Sequence, residues 1–277
     1  MGKKYKKFIL FNIFIGLFCY SELFSQIIEE ENEVIYFIVD LDGVLLFIPA
    51  PYAPLKKTLI AAEEKYRIAE WGPEFLQYLS EIPNAQVSFF SFGSLERNIE
   101  AIQKIVLPNG KTAIDIATDL DTGFIRLVGR EQVDEYEFEM GNVSKDLSYL
   151  PFEISLKKAI LIDDNYNSAP TSQKSNLLYV YNSTMGEYPN LINNRYVYEE
   201  EHALNIRGEL FRVTGIIQKV LEAGKVDGNY VKALAQLLWK DGAPTESRQV
   251  RNYNSEVIFH KDMYQLGNSI LSRISSK

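Results

Sequence analysis

Residues 35–47 read Ile35-Tyr-Phe-Ile-Val-Asp40-Leu-Asp42-Gly-Val-Leu-Leu-Phe47, and this stretch decides the fold. Its first five residues are a continuous apolar run rich in β-branched and aromatic side chains, the composition of a strand buried on both faces of a parallel sheet. Asp40 and Asp42 stand at the C-terminal end of that run, where an open α/β sheet places its ligands. Two carboxylates on alternate residues, followed by a glycine that lets the chain turn sharply, suit a hard cation and leave an oxygen free to react. Asp-x-Asp-Gly also builds turns and caps helices with no chemistry attached. The strand in front of it is what favours a site.

At 277 residues, 46% hydrophobic and 24% charged, the chain has a globular composition and room for one large domain or two small ones. Its formal net charge of -8 argues against nucleic acid as a partner, because phosphate backbones are bound by basic surfaces. Cys19 is the only cysteine and His202 and His260 the only histidines, so zinc chemistry is not expected. Lys3, Lys4, Lys6 and Lys7 precede an almost uncharged apolar run, residues 8–20, and a small residue, Ser25, follows. That is the layout of a secretory signal peptide, and the apolar run is short for a bilayer span. Export with removal of residues 1–25 is the expectation, with an uncleaved membrane anchor as the alternative. Cys19 would leave with the signal, and the mature chain would have no stable membrane association.

Further along, the prolines at 49, 51 and 54 mark a loop, and residues 55–69 have apolar side chains at helical spacing. Pro73 then opens a second helix over residues 73–79. Residues 85–91 form an apolar strand ending on the hydroxyl of Ser91, and Ser94 is placed to cap a helix over 95–105 with Arg97 reaching outward. A second Asp-Leu-Asp at 119–121 has no comparable strand before it and a Thr-Gly turn after it, so it reads as a solvated loop. Residues 124–128 and 135–139 alternate like the arms of a small β flap. Lys145-Asp-Leu-Ser-Tyr-Leu150 follows, and then a buried strand, 159–162, that ends on Asp163 and Asp164. Beyond residue 181, the spacing over 204–221, 230–239 and from about 261 onward is helical, and 199–201 is a solvated acidic run.

Asp-x-Asp-Gly-Val after an apolar strand resembles the first motif of the haloacid dehalogenase superfamily of phosphohydrolases. The resemblance implies that Asp40 is the nucleophile and Asp42 the general acid and base. It also calls for a hydroxyl ending a second strand, a lysine before the last core strand and an acidic pair ending it, which Ser91, Lys145 and the pair Asp163 and Asp164 supply in order. The Lys-Asp-Leu-Ser-x-Leu core resembles the third motif of one branch, the phosphatases that act on the C-terminal domain of RNA polymerase. In that branch an arginine-containing flap segment precedes the lysine, and here residues 126–131, with Arg126 and Arg130, stand in its place. The acidic pair is usually followed there by Ser-Pro, where this chain has Asn165-Tyr-Asn-Ser168-Ala-Pro170.

The fold so implied is α/β, a Rossmann-like parallel sheet with a small β flap and a C-terminal helical extension. Residues 26–185 would be the phosphatase core and 186–277 the extension, either packed on the core or forming a small accessory domain. The resemblance further implies Mg²⁺ held by Asp40, the backbone carbonyl of Asp42 and one or both of Asp163 and Asp164. Ser91 would donate to the phosphoryl oxygens and Lys145 would neutralise charge. The partner would be a phosphorylated protein or small molecule. Two rivals stay open, a catalytically idle binding module on the same fold and a phosphatase of small metabolites or nucleotides. The N-terminal reading has its own check: sequencing the protein from its source should find a start near Gln26, and an intact Met1 in a soluble cytoplasmic fraction would overturn it.

Overall fold

The structure, a computed structural model, describes residues 34–48, 57–133, 144–180, 209–238 and 253–276, with side chains from 261 in the last segment. It divides into two units, Met1–Val34 and Ile35–Lys277, and all the elements named here belong to the second. The lysine-rich start, the apolar run 8–20, Ser25, the proline loop at 49–56, the flap arm 135–139 and the acidic run 199–201 lie outside the described residues.

Ile35–Val39 forms β1, the centre of a five-stranded sheet. Phe37, Ile38 and Val39 have no exposed surface, and side chains buried this completely contribute about 1.5–3 kcal/mol each. On one side β1 pairs with β5 (Ala85–Phe90), which pairs with β6 (Leu127–Val128). On the other it pairs with β7 (Ala159–Asp163), which pairs with β8 (Leu177–Tyr179). All four pairings are parallel, so every strand ends at the same edge. The chain moves outward from β1 through β5 and β6, then returns to its other side through β7 and β8. The reversal therefore falls between β1 and β7, where open α/β sheets form a ligand crevice.

Alternate residues of β1 point to two cores. Phe37 and Val39 join a large cluster under the helices α1 (Gly72–Glu81), α2 (Leu95–Lys104) and the short α3 (Ala113–Ala117). Ile38 joins a smaller one with Phe90, Leu161, Leu147 and Leu150, covered by irregular chain around a 3-10 turn at Leu147–Tyr149. Pro73 lies in the first turn of α1, and Ser94 caps α2 by accepting the Arg97 amide, both as the sequence implies.

Two segments differ from the sequence reading. Residues 55–69 are not a helix: Thr58–Ala61 (β3) and Glu64–Ile68 (β4) form a hairpin, which Leu46–Phe47 (β2) extends to a three-stranded antiparallel sheet. Its turn places Ala62 and Glu63 in the left-handed region, at φ 47° and 66°, a conformation for which the usual sequence signal is Asn-Gly. The turn is held from outside instead, by Glu100 accepting the Ala62 amide and Lys104 donating to the Ile60 carbonyl. Leu59 and Ala61 face the core with period two and Tyr66 lies opposite Leu59 on the neighbouring strand, a spacing that the helical reading absorbed. The small antiparallel element of the fold is thus built here. The first arm of the expected flap instead gives β6, because Leu127 and Val128 are both buried at the edge of the parallel sheet.

Past residue 208, the described helices are α4 (Glu209–Gly224), α5 (Tyr230–Leu238) and α6 (Tyr253–Ser275). They share the large core with α1 and the sheet. Phe211 of α4 packs on Trp71 at 4.9 Å and on Tyr264 of α6 at 5.2 Å. α4 and α6 cross backbone to backbone, since a methyl at Gly215 would meet the Met263 carbonyl and one at Gly267 the Phe211 carbonyl. Gly267→Ala should therefore lower stability by about 1–3 kcal/mol in urea unfolding, as overpacking does. An unchanged midpoint would mean that the helices do not meet this closely.

Candidate active site

The loop after β1 is anchored by its apolar residues. Leu41, Val44, Leu45 and Leu46 are each at most 1% exposed, and the Leu45 and Leu46 amides both donate to the Leu41 carbonyl. Gly43 allows this tight return at φ 80°. With alternate positions locked into the core, Asp40 and Asp42 are left to project from the sheet edge. β7 does the same for Asp163, whose carboxylate has no exposed surface.

Lys145 joins these strand ends. Its ammonium donates to Asp40 Oδ2 at 2.7 Å and to Asp163 Oδ2 at 2.6 Å. The motif around it explains how it arrives there: Leu147 and Leu150 are sunk in the smaller core, and Asp146 caps the 3-10 turn and accepts from Gln173. The Phe92 and Phe90 rings lie 5.4 and 5.9 Å from the ammonium. The other carboxylate oxygens are also occupied, Asp40 Oδ1 by the Leu41 amide and Asp163 Oδ1 by the Asn165 amide, each at 2.7 Å.

Asp40, Asp163 and Asp164 offer carboxylate oxygens within 4.8 Å of one another. Burial pushes the Asp40 carboxyl well above the usual carboxylate range; Lys145 pulls it down and Asp163 pushes it further up. Burial also disfavours the Lys145 ammonium, yet Asp163 and Asp40 outweigh that and hold it above the ordinary lysine value. Three carboxylates beside one ammonium leave excess negative charge at a largely buried site. An all-oxygen set of this charge fits a hard divalent cation such as Mg²⁺.

Asp42 is turned the other way. Its Oδ2 accepts from the Ser91 hydroxyl at 2.9 Å and from Arg97 Nη2, so any share it has in metal binding falls to its backbone carbonyl. Ser91 directly follows β5 and is fully buried. The loop that follows is pinned by Asn98, whose amide donates to the Ser91 and Gly93 carbonyls. Arg97 does not reach outward as expected. From the first turn of α2 it folds back toward Asp42 and is 8% exposed, with the Tyr66 ring 5.3 Å from its guanidinium carbon. Burial and a bond to Glu64 push the Tyr66 phenol up to about 12, so it stays neutral.

The structure thus gathers Asp40, Lys145, Asp163 and Asp164, sets Asp42 and Ser91 beside them, and adds Arg97, which sequence reading missed. Ser94 was the visible signal, since a cap at that position fixes the direction of the turn carrying Arg97. Arg126, expected in a flap, is committed to the Val87 and Ile116 carbonyls. Asp119, of the second Asp-Leu-Asp, sits on a turn with its carboxylate taken by the Thr122 amide and hydroxyl, as the sequence indicates.

No protein-family model matches the chain, and no curated protein matches it significantly. Among solved structures, the chain is similar to the fission yeast RNA polymerase II CTD phosphatase Fcp1 bound to beryllium fluoride. The identity is 17% over 93% of this chain and 70% of that one, with a TM-score of 0.37. A second structure, described as Fcp1, an essential RNA polymerase II CTD phosphatase, is 18% identical over 91% of this chain and 69% of that one, also with a TM-score of 0.37. Both are phosphatases of the branch that the motifs resemble. Likenesses of this size leave function to be argued from the residues of the site.

Removing Lys145 tests whether the cluster is one unit. In metal-free buffer Lys145→Met should cost about 3–5 kcal/mol, because two buried carboxylates lose their counter-charge. Adding Asp163→Asn should recover part of that loss. Losses that simply sum would show that the three groups are not coupled.

Proposed function

We propose that the chain is a phosphomonoester hydrolase of haloacid dehalogenase type, working through an aspartyl phosphate on a phosphorylated protein. The observation that carries this reading is the Lys145 ammonium bonded to both Asp40 and Asp163 at the sheet edge. A phosphate ester repels nucleophiles by its own charge, so catalysis needs positive charge and in-line positioning. Mg²⁺, held by Asp40, the Asp42 carbonyl and the pair Asp163 and Asp164, would supply positive charge beside the phosphoryl group.

The protein's own residues divide the remaining work. An oxygen of Asp40 attacks phosphorus while the ester P–O bond breaks, and Asp42 gives its proton to the departing oxygen. The products are an alcohol and the phosphorylated Asp40. Asp42, now a carboxylate, takes a proton from water as that water attacks phosphorus. The bond to Asp40 then breaks and inorganic phosphate leaves, with Asp42 reprotonated. Lys145 neutralises charge on Asp40 and on the phosphoryl group, and the Ser91 hydroxyl turns from Asp42 to a phosphoryl oxygen. Export, if it occurs, would place the substrate outside the producing cell and set RNA polymerase aside as a target.

The test is turnover of 4-nitrophenyl phosphate and of a panel of phosphopeptides and nucleotides. Asp40→Asn should lower it by several orders of magnitude with the fold intact, and Asp119→Asn should leave it unchanged. Exhaustive chelation should abolish activity, and Mg²⁺ should restore it. Asp40→Asn within tenfold of wild type would remove Asp40 as nucleophile, and an inert wild type would favour the idle binding module.

A further inference from the structure

We propose that Arg97 is the positioning residue for Asp42: wedged between the Tyr66 ring and Gly93, it grips Oδ2 of that carboxylate and leaves Oδ1 to exchange protons with leaving group and water. This rests on the phosphatase reading. Asp42 needs such a grip, because its side chain is 45% exposed on a loop that turns at once through Gly43. Both of its donors, Ser91 and Arg97, bond the same oxygen, and among the described residues Oδ1 accepts no hydrogen bond. When the Ser91 hydroxyl turns to the phosphoryl group, Arg97 is the donor that stays.

The guanidinium is itself fixed on three sides. Tyr66 lies 5.3 Å from its central carbon, Asp42 bonds Nη2, and a methyl placed on Gly93 would overlap Nη2. Its Nη1 is buried without a hydrogen-bond partner. Arg126 offers the contrast, since it spends Nε and Nη2 on backbone carbonyls. Arg126 also faces the Asp119 carboxylate, whereas Arg97 faces Asp42 with no side-chain bond to a backbone carbonyl among the described residues. Tyr66 brings the antiparallel sheet into the chain of contacts, so the hairpin holds Arg97 and Arg97 holds Asp42.

The test compares two leaving groups in wild type, Arg97→Met, Arg97→Lys and Gly93→Ala. Nitrophenolate departs without a proton, whereas the serine alkoxide of a phosphopeptide requires one. Arg97→Met should lower kcat on the phosphopeptide by about 100-fold, the usual scale for a misplaced general acid, with KM little changed. On 4-nitrophenyl phosphate it should slow only the second step, so rapid quench finds a larger nitrophenolate burst than in wild type. Gly93→Ala keeps every charge but displaces the guanidinium and should show the same pattern; it carries the test if Arg97→Met does not fold. Arg97→Lys, with charge but no planar fork, should recover only part of the loss. Because the second step is common to both substrates, an equal loss of the first-step rate on both by rapid quench, or no loss on either, in an active enzyme overturns the proposal. A wild type inert on both substrates sinks the phosphatase reading instead.

Discussion

The ammonium of Lys145 between Asp40 and Asp163 is the interaction on which the rest of the structure depends. Two carboxylates with almost no exposed surface stand at the ends of adjacent strands, and nothing else among the described residues forms an ion pair with either of them. A buried charge without its partner is strongly destabilising, so the lysine has to be delivered accurately. That requirement accounts for the apolar underside of its strap. Leu147 and Leu150 are anchors, and the 3-10 turn between them sets the height at which the ammonium enters. The two sides of β1 thus differ, one buried under helices and the other beneath the strap that carries Lys145.

What the sequence makes legible follows from the same geometry. β1, β5 and β7 are buried on both faces, so each appears as an apolar run, and the first polar residue after the run marks the sheet edge. Asp40, Ser91 and Asp163 could be located for that reason. Lys145 precedes its strand by fourteen residues, and only the motif around it pointed there. The C-terminal helices were visible through their spacing.

The misses have physical causes as well. The hairpin of β3 and β4 turns through Ala62 and Glu63, non-glycine residues with positive φ, and takes its support from Glu100 and Lys104 far along the chain. A window over residues 55–69 contains none of that support. Arg97 was misread because an arginine in the first turn of an exposed helix ordinarily seeks water. Here an acceptor on another element, Asp42, and an aromatic face on a third, Tyr66, decide its direction. β6 is two residues long and takes its identity from β5 beside it.

The crossing of α4 and α6 also bears on how the protein is made. Trp71 and Tyr78 at one face of α1 rest on Phe211 and Gln218 of α4, and α4 meets α6 at Gly215 and Gly267. A ribosome delivers the sheet and α1 long before it delivers residue 267. Through that interval Phe75, Leu76 and Leu79, fully covered in the finished molecule, lack part of the large core they share with α4 and α6. A nascent chain in that state presents apolar surface to its surroundings, the situation in which chaperones are recruited and aggregation competes with folding. Closure of the large core awaits α6, so the sheet that carries the candidate site keeps one face incompletely covered until late in synthesis.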